Sequence, residues 1–246
     1  MTRDKKMKQF LIKYLNAFKL FFGLYKKVEF NDRASTQPVS RLFGIDRGMP
    51  IDRYYIEKFL SAHSHDIRGR ILEIAEDTYA RKFADRSGGE TPVFETLHFD
   101  GSGKPSTITG DLAKPASLPE NCYDCFICTQ TYNFIYDVRQ AIAGTYQLLK
   151  NDGIVLATVA GISQVSRYDM DRWGDYWRFT DASALKLFED VFGEGQVEIL
   201  TFGNVLAATA LLQGLAVEDL PDRRLLDEKD PDYPVIIGIR AKKIAR

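Results

Sequence analysis

The chain lacks any run of about 18 uncharged apolar residues, so no segment reads as a membrane-spanning helix. Its first apolar stretch is broken by Lys13 and Lys19 and carries no small-residue cleavage site. No secretory signal is therefore expected, and the expected location is the cytoplasm, with a peripheral position at the inner membrane face as the variant. Charge of one sign is missing too. Lys and Arg number 33 against 34 Asp and Glu, a net charge of -1, so no nucleic-acid partner is expected. Cysteine is scarce, limited to Cys122, Cys125 and Cys128. Their three-residue spacing hints at a metal site, but Tyr123–Cys128 reads as a buried strand, on which Cys125 points away from the other two. No His, Asp or Glu cluster has metal-ligand spacing either, so no metal is expected.

What is present is ordinary globular composition, 45% hydrophobic and 27% charged over 246 residues, enough for one well-buried domain with an appendage. Residues 1–30 carry a basic amphipathic helix over 5–27, in which Phe10, Leu11, Tyr14, Leu15, Phe18, Phe21, Phe22 and Tyr25 recur at helical spacing among lysines. Such a helix suits an anionic membrane surface, a partner groove, the main domain or a second copy of the chain in a homodimer. Residues 31–66 are expected to form a lid or capping segment, including a helix from Pro50 or Ile51 to about His63. His63 and His65 read as exposed linker histidines.

Strands then alternate with helices. Strands are expected at Arg70–Ile74, Val93–Phe99, Ser106–Thr109, Tyr123–Thr129, Ile154–Val159, Val197–Phe202 and Val235–Ile239. Helices are expected from Asp137 to Leu149, from Asp181 to Phe192 and from Val205 to Ala216. The connection Ala75–Pro92 looks short of regular helix. This order predicts an α/β fold over 67–246, a doubly wound, mostly parallel seven-stranded sheet with a substrate-side segment at 161–180 and an insertion at 205–232.

Ligands of open α/β sheets bind beyond the carboxyl ends of the strands. Asp100 ends the second strand, where a carboxylate can take a ribose diol, or simply make a turn with Gly101. After the first strand the loop Ala75-Glu76-Asp77-Thr78-Tyr79 has two acids and no glycine, which repels a diphosphate but tolerates a sulfonium and an ammonium.

Gly110-Asp111-Leu112, Leu118-Pro119-Glu120, Tyr123-Asp124 and Leu148-Leu149-Lys150-Asn151-Asp152-Gly153 follow one another in an order that resembles class I S-adenosylmethionine-dependent methyltransferases of the type 11 group, over roughly 67–202. Asp175-Tyr176-Trp177-Arg178-Phe179-Thr180 is similar to a segment in bacterial members, some of them associated with glycan modification. The resemblance implies a Rossmann-like methyltransferase fold with S-adenosylmethionine as cofactor. It also implies cofactor-binding roles for Glu73, Ala75, Asp100, Asp111, Leu112, Thr129 and Gln130. Ala75, Asp77 and Tyr79 stand where the family has glycines; Ala75 is compatible with that loop if its backbone keeps a negative φ.

Residues 166–178 gather both tryptophans, three arginines and three aspartates. Arg172, Trp173, Tyr176, Trp177 and Arg178 suit a polar, hydroxylated or anionic ligand, or else an arginine–aspartate network that pins the loop. Asp175, Tyr168 and His98 are the candidate bases for an oxygen nucleophile. The expected function is O-methylation of a small polar molecule or glycan. The alternative is an inactive binding or scaffold protein on the same fold, membrane-peripheral in one version.

Overall fold

The computed structural model describes residues 35–87, 91–99 and 108–245. The amphipathic helix over 5–27, Asp100 and the 101–107 connection lie outside them. The chain divides into two compact units, 1–37 and 38–246, and the second contains every element below.

Helix α1 (Ile51–Ala62) opens at Pro50 and buries Ile51, Tyr55, Ile56, Phe59 and Leu60, the 3.6-residue stripe expected from the sequence. Strand β1 (Arg70–Ile74) leads into a short helix α2 (Thr78–Phe83), so the Ala75–Pro92 connection does contain one regular turn and a half. Strand β2 (Val93–His98) and the two-residue β3 (Ile108–Thr109) follow. Strand β4 (Tyr123–Thr129) and helix α3 (Val138–Leu148) come next, the helix capped by the Asp137 carboxylate accepting from the Gln140 amide at 3.2 Å. Strand β5 (Leu149–Ala160), a four-residue helix α4 (Arg167–Met170) and helix α5 (Asp181–Phe192) continue the alternation. Strand β6 (Val197–Phe202), helix α6 (Val205–Leu212) and strand β7 (Ile236–Lys242) complete it. Helix α6 ends at Leu212 rather than Ala216, where Gln213 and Gly214 close its last turn.

The seven strands lie in the order β3-β2-β1-β4-β5-β7-β6, parallel except for β7, which is antiparallel to both its neighbours. Apolar side chains cover both faces, as a doubly wound sheet requires. One core joins Leu72, Phe126, Val155 and Ile237 to α3 and α5. The other joins Ile71, Ile127, Leu156 and Ile236 to α1 and α6. Cys128 belongs to the first core and Cys125 to the second, so the strand does separate the thiols. Burial pushes the Cys125 thiol far up and that of Cys128 to about 12, which leaves both unreactive. Gly238 of β7 is where α1 seats: a Cβ there would fall 2.5 Å from the Phe59 ring.

His63 departs from expectation. It is buried, its Nδ1 lies 2.9 Å from the Phe59 carbonyl, and its ring packs on Phe59; His65 is the exposed one. Among the described residues no helix is long and apolar enough to cross a membrane, and no three His, Cys, Asp or Glu side chains are grouped to hold an ion.

Candidate functional site

The strand order reverses between β1 and β4, and an open α/β sheet splits into a crevice at such a switch point. Each strand ends there in a residue with left-handed backbone that is not glycine: Ala75 at φ 65° after β1 and Gln130 at φ 49° after β4. The Glu76 amide reaches back to the Ile74 carbonyl at 2.8 Å, a three-residue turn centred on Ala75. Ala75 thus takes the conformation a glycine would take, so the negative φ that is the condition for an alanine here is not met. Strand β2 fixes it there. The Ala75 amide donates to the Leu97 carbonyl at 3.0 Å, and His98 Nε2 lies 2.7 Å from the Ala75 carbonyl.

Glu73 is buried in β1, and its two carboxylate oxygens accept from the amides of Tyr79 (3.2 Å) and Ala80 (2.7 Å) at the start of α2. It therefore shapes the loop through the α2 terminus instead of facing the crevice. Burial pushes its carboxyl up to about 7, against the lowering effect of those two amides. The carboxylates of Glu76 and Asp77 raise it further.

Gln130 Nε2 donates to Thr158 Oγ1 at 3.3 Å, and Asn133 Nδ2 donates to Gln130 Oε1 at 3.0 Å. Asn133 Oδ1 accepts from the Ala160 amide at 3.3 Å, while the Asn133 carbonyl accepts from the amides of Tyr176 and Trp177 at 2.9 and 3.2 Å. One buried asparagine therefore ties the ends of β4 and β5 to the segment that carries the aromatic residues. Its signal in the sequence was only its place four residues after β4. Thr129, half-buried at the end of β4, accepts through its carbonyl from Thr131 Oγ1 at 3.0 Å.

Asp111 follows β3. Its Oδ1 accepts from the Ala113 amide at 2.9 Å and its Oδ2 lies 3.2 Å from Lys114 Nζ. Leu112 is buried in the core against α3. A base amine would share the Asp111 carboxylate with Lys114.

The structure divides the 166–178 segment into a latch and a set of rings. The Asp175 side chain is 1% exposed and makes two short contacts with Arg178, Oδ1 to Nη1 at 2.6 Å and Oδ2 to Nη2 at 2.9 Å. It also accepts from the Ser166 amide at 2.9 Å. Burial pushes this carboxyl up, but Arg178 and the Ser166 amide outweigh that and hold it below the usual range. A carboxylate so occupied is a poor general base, so Asp175 is a structural anchor and not the base expected. Arg178 is equally committed, donating to the carbonyls of Ser163, Gln164 and Trp177 besides Asp175. Through these bonds it pins the loop. The exposed groups are Tyr168, Arg172 (whose guanidinium lies over the Tyr168 ring), Trp173, Tyr176 and Trp177.

These residues suit a cofactor without phosphate better than a dinucleotide. Asp77 is paired with Arg81, and the Tyr79 and Ala80 amides at the start of α2 are taken by Glu73, so the Ala75–Tyr79 loop presents no bare phosphate cradle.

No curated protein sequence matches the chain. Residues 63–157 match the family model described as a methyltransferase domain. Among solved structures, the 4+2 cyclase SpnF is similar at a TM-score of 0.50 and 15% identity, over 81% of this chain and 84% of that one. A protein of Galdieria sulphuraria, provisionally named a sarcosine dimethylglycine methyltransferase, gives 0.50 and 11% over 79% and 85%. An S-adenosylmethionine-dependent methyltransferase of Mesorhizobium loti gives 0.49 and 14% over 81% and 100%. At such identities the likeness is one of fold. The chain thus has the class I Rossmann-like methyltransferase fold, and the cofactor that a match to this domain implies is S-adenosylmethionine.

Proposed function

We propose that the chain transfers a methyl group from S-adenosylmethionine to a hydroxyl of a small polar molecule or glycan. The observation that carries this reading is the switch-point crevice between β1 and β4, turned by left-handed Ala75 and Gln130, beside a loop whose α2 amides at Tyr79 and Ala80 are already taken by Glu73. A glycine-free turn with its helix amides occupied disfavours a diphosphate and leaves a cofactor without phosphate as the fit. When bound, the cofactor supplies an electrophilic methyl: its sulfur–carbon bond breaks as the oxygen–carbon bond forms, the thioether leaves, and the hydroxyl proton goes to a base. Alignment is the main contribution asked of the protein.

His98 is the base this geometry favours. Its Nε2 faces a carbonyl and so carries the hydrogen, which makes Nδ1 the basic nitrogen. Ala75 would sit beside the cofactor through its backbone, with Gln130 and Thr129 beneath it, and Asp111 and Leu112 toward the base. Asp100 is retained as the ribose ligand. Tyr168, Arg172, Trp173, Tyr176 and Trp177 border the acceptor side.

Calorimetric titration with S-adenosylmethionine and S-adenosylhomocysteine, with NADH as control, tests the reading. Micromolar binding of the adenosyl ligands and none of NADH is expected. Binding of neither adenosyl ligand would overturn methyl transfer and leave a scaffold on the same fold, the reading that the missing glycines at Ala75, Asp77 and Tyr79 favour.

A further inference from the structure

The chain has two tryptophans, and both are partly in water, Trp173 at 45% and Trp177 at 37% exposure. Tyr136, Tyr176 and Phe99 beside them are exposed as well. These rings touch. Tyr136 stacks on Trp177 with centroids 6.0 Å apart and meets Tyr176 edge-on at 5.3 Å. The Tyr176 ring covers Gly174, where a Cβ would fall 2.3 Å from it, and its hydroxyl donates to the Trp173 carbonyl at 3.3 Å. Trp173 meets Phe99 edge-on at 6.1 Å. A group of three rings and a pair, joined by that hydroxyl bond, thus form a strip from just before α3 to just past β2, on the side of the sheet where the parallel strands end.

The strip is held in place. Trp177 Nε1 donates to the carbonyls of Ile135 and Tyr136 at 3.1 and 3.2 Å, Asn133 holds the backbone of Tyr176 and Trp177, and the buried Asp175–Arg178 latch brackets these two residues in sequence. Gly174, at φ 93°, permits the turn that lets Tyr176 fold back over it. Exposed aromatic area fixed this firmly is organised for a ligand.

We propose that the strip is a saccharide-binding shelf that takes a chain of at least two sugar rings and delivers the inner ring to the crevice. The inference rests on the methyl-transfer reading of the crevice for its direction. A sugar ring has an apolar C–H face, which an open aromatic surface covers, and a rim of hydroxyls that stays in water. A wholly apolar ligand would leave its second face wet on such an open shelf and would call for an enclosed pocket. An anion would call for converging cations, but Arg178 is committed to Asp175 and three carbonyls, and Arg172 to the Tyr168 ring and carbonyl. The length of the strip sets the ring count: the Tyr136–Tyr176–Trp177 group and the Trp173–Phe99 pair each offer a separate stacking surface.

Because no tryptophan lies elsewhere, intrinsic fluorescence reports the shelf directly. The full chain is titrated with glucose, maltotriose, cellotriose and mannotriose, and S-adenosylhomocysteine binding is measured in parallel by calorimetry. At least one trisaccharide is expected to shift the emission and to bind at least tenfold more tightly than glucose. Tyr136→Ala, at a mostly exposed ring, is expected to weaken that binding at least fivefold and to leave S-adenosylhomocysteine affinity within twofold. Equal affinity for glucose and every trisaccharide, or no response to any sugar, would overturn the shelf. So would an emission shift with anionic phospholipid vesicles in the absence of any with sugars, which would make the strip a membrane-interface belt. Trisaccharide binding without S-adenosylhomocysteine binding would uphold the shelf and sink the methyl-transfer reading.

Discussion

Ala75 holds a left-handed backbone that costs an L-residue about 1–2 kcal/mol, partly offset by the lower unfolded-state entropy of alanine relative to glycine. Ala75→Gly should therefore raise the unfolding free energy by about 0.5–1 kcal/mol in a denaturant titration. Ala75→Val should lower it by about 2 kcal/mol, since β-branching adds to the strain. Glu73 gives a second test, in pH. Its carboxyl is raised to about 7, so the folded state holds the proton more tightly than the unfolded chain does. The resulting stabilisation is complete below the unfolded value near 4.5 and is lost as pH rises through about 7. It amounts to about 3 kcal/mol. Comparing unfolding at pH 5 and pH 8, the wild type should lose about that much more stability than Glu73→Gln, and parallel pH profiles would refute the assignment. The sequence shows that Ala75 is small where a glycine is expected. It does not show the sign of φ, because the contacts that impose it come from Leu97 and His98, more than twenty residues away.

At the scale of elements, the boundaries that follow from local chemistry were legible. Helix α3 starts where Asp137 can cap it, and α5 starts at Thr180, whose side chain accepts from the Ser183 amide while Ser183 Oγ donates back to Thr180. The segment between α4 and α5 was legible only as an unusual composition. Residue type tells that Asp175, Arg178 and Trp177 can bind a ligand. It does not tell that their partners are each other and the carbonyls of Ser163, Gln164, Ile135 and Tyr136, which carry no side-chain signature. Asn133 was missed for the same reason. Asp175→Ala should leave the Arg178 guanidinium and the Ser166 amide without their shared acceptor and cost about 2–3 kcal/mol. Tryptophan emission should shift to the red as well, because Trp173 and Trp177 flank the lost latch. Unchanged stability and emission would mean that the latch does not position the rings.

For the whole molecule, the alternation of strands and helices sufficed to predict a parallel doubly wound sheet, because two-sided burial leaves continuous apolar runs such as Cys125–Cys128 and Ile154–Val159. Residues 38–246 form a compact unit with both cores inside it. A fragment of those residues should unfold in one cooperative transition, with circular dichroism and tryptophan emission giving the same midpoint.

The place of β7 governs the order in which this sheet can be assembled. As the last strand in the sequence, it pairs with β5 on one side and β6 on the other. During synthesis β5 therefore emerges with an open, strongly apolar edge, and β6 has no strand to join until Ile236–Lys242 leaves the ribosome. The nascent chain must carry that edge through the whole of Gly161–Pro234, so any pause or premature stop in this stretch releases a protein primed for aggregation.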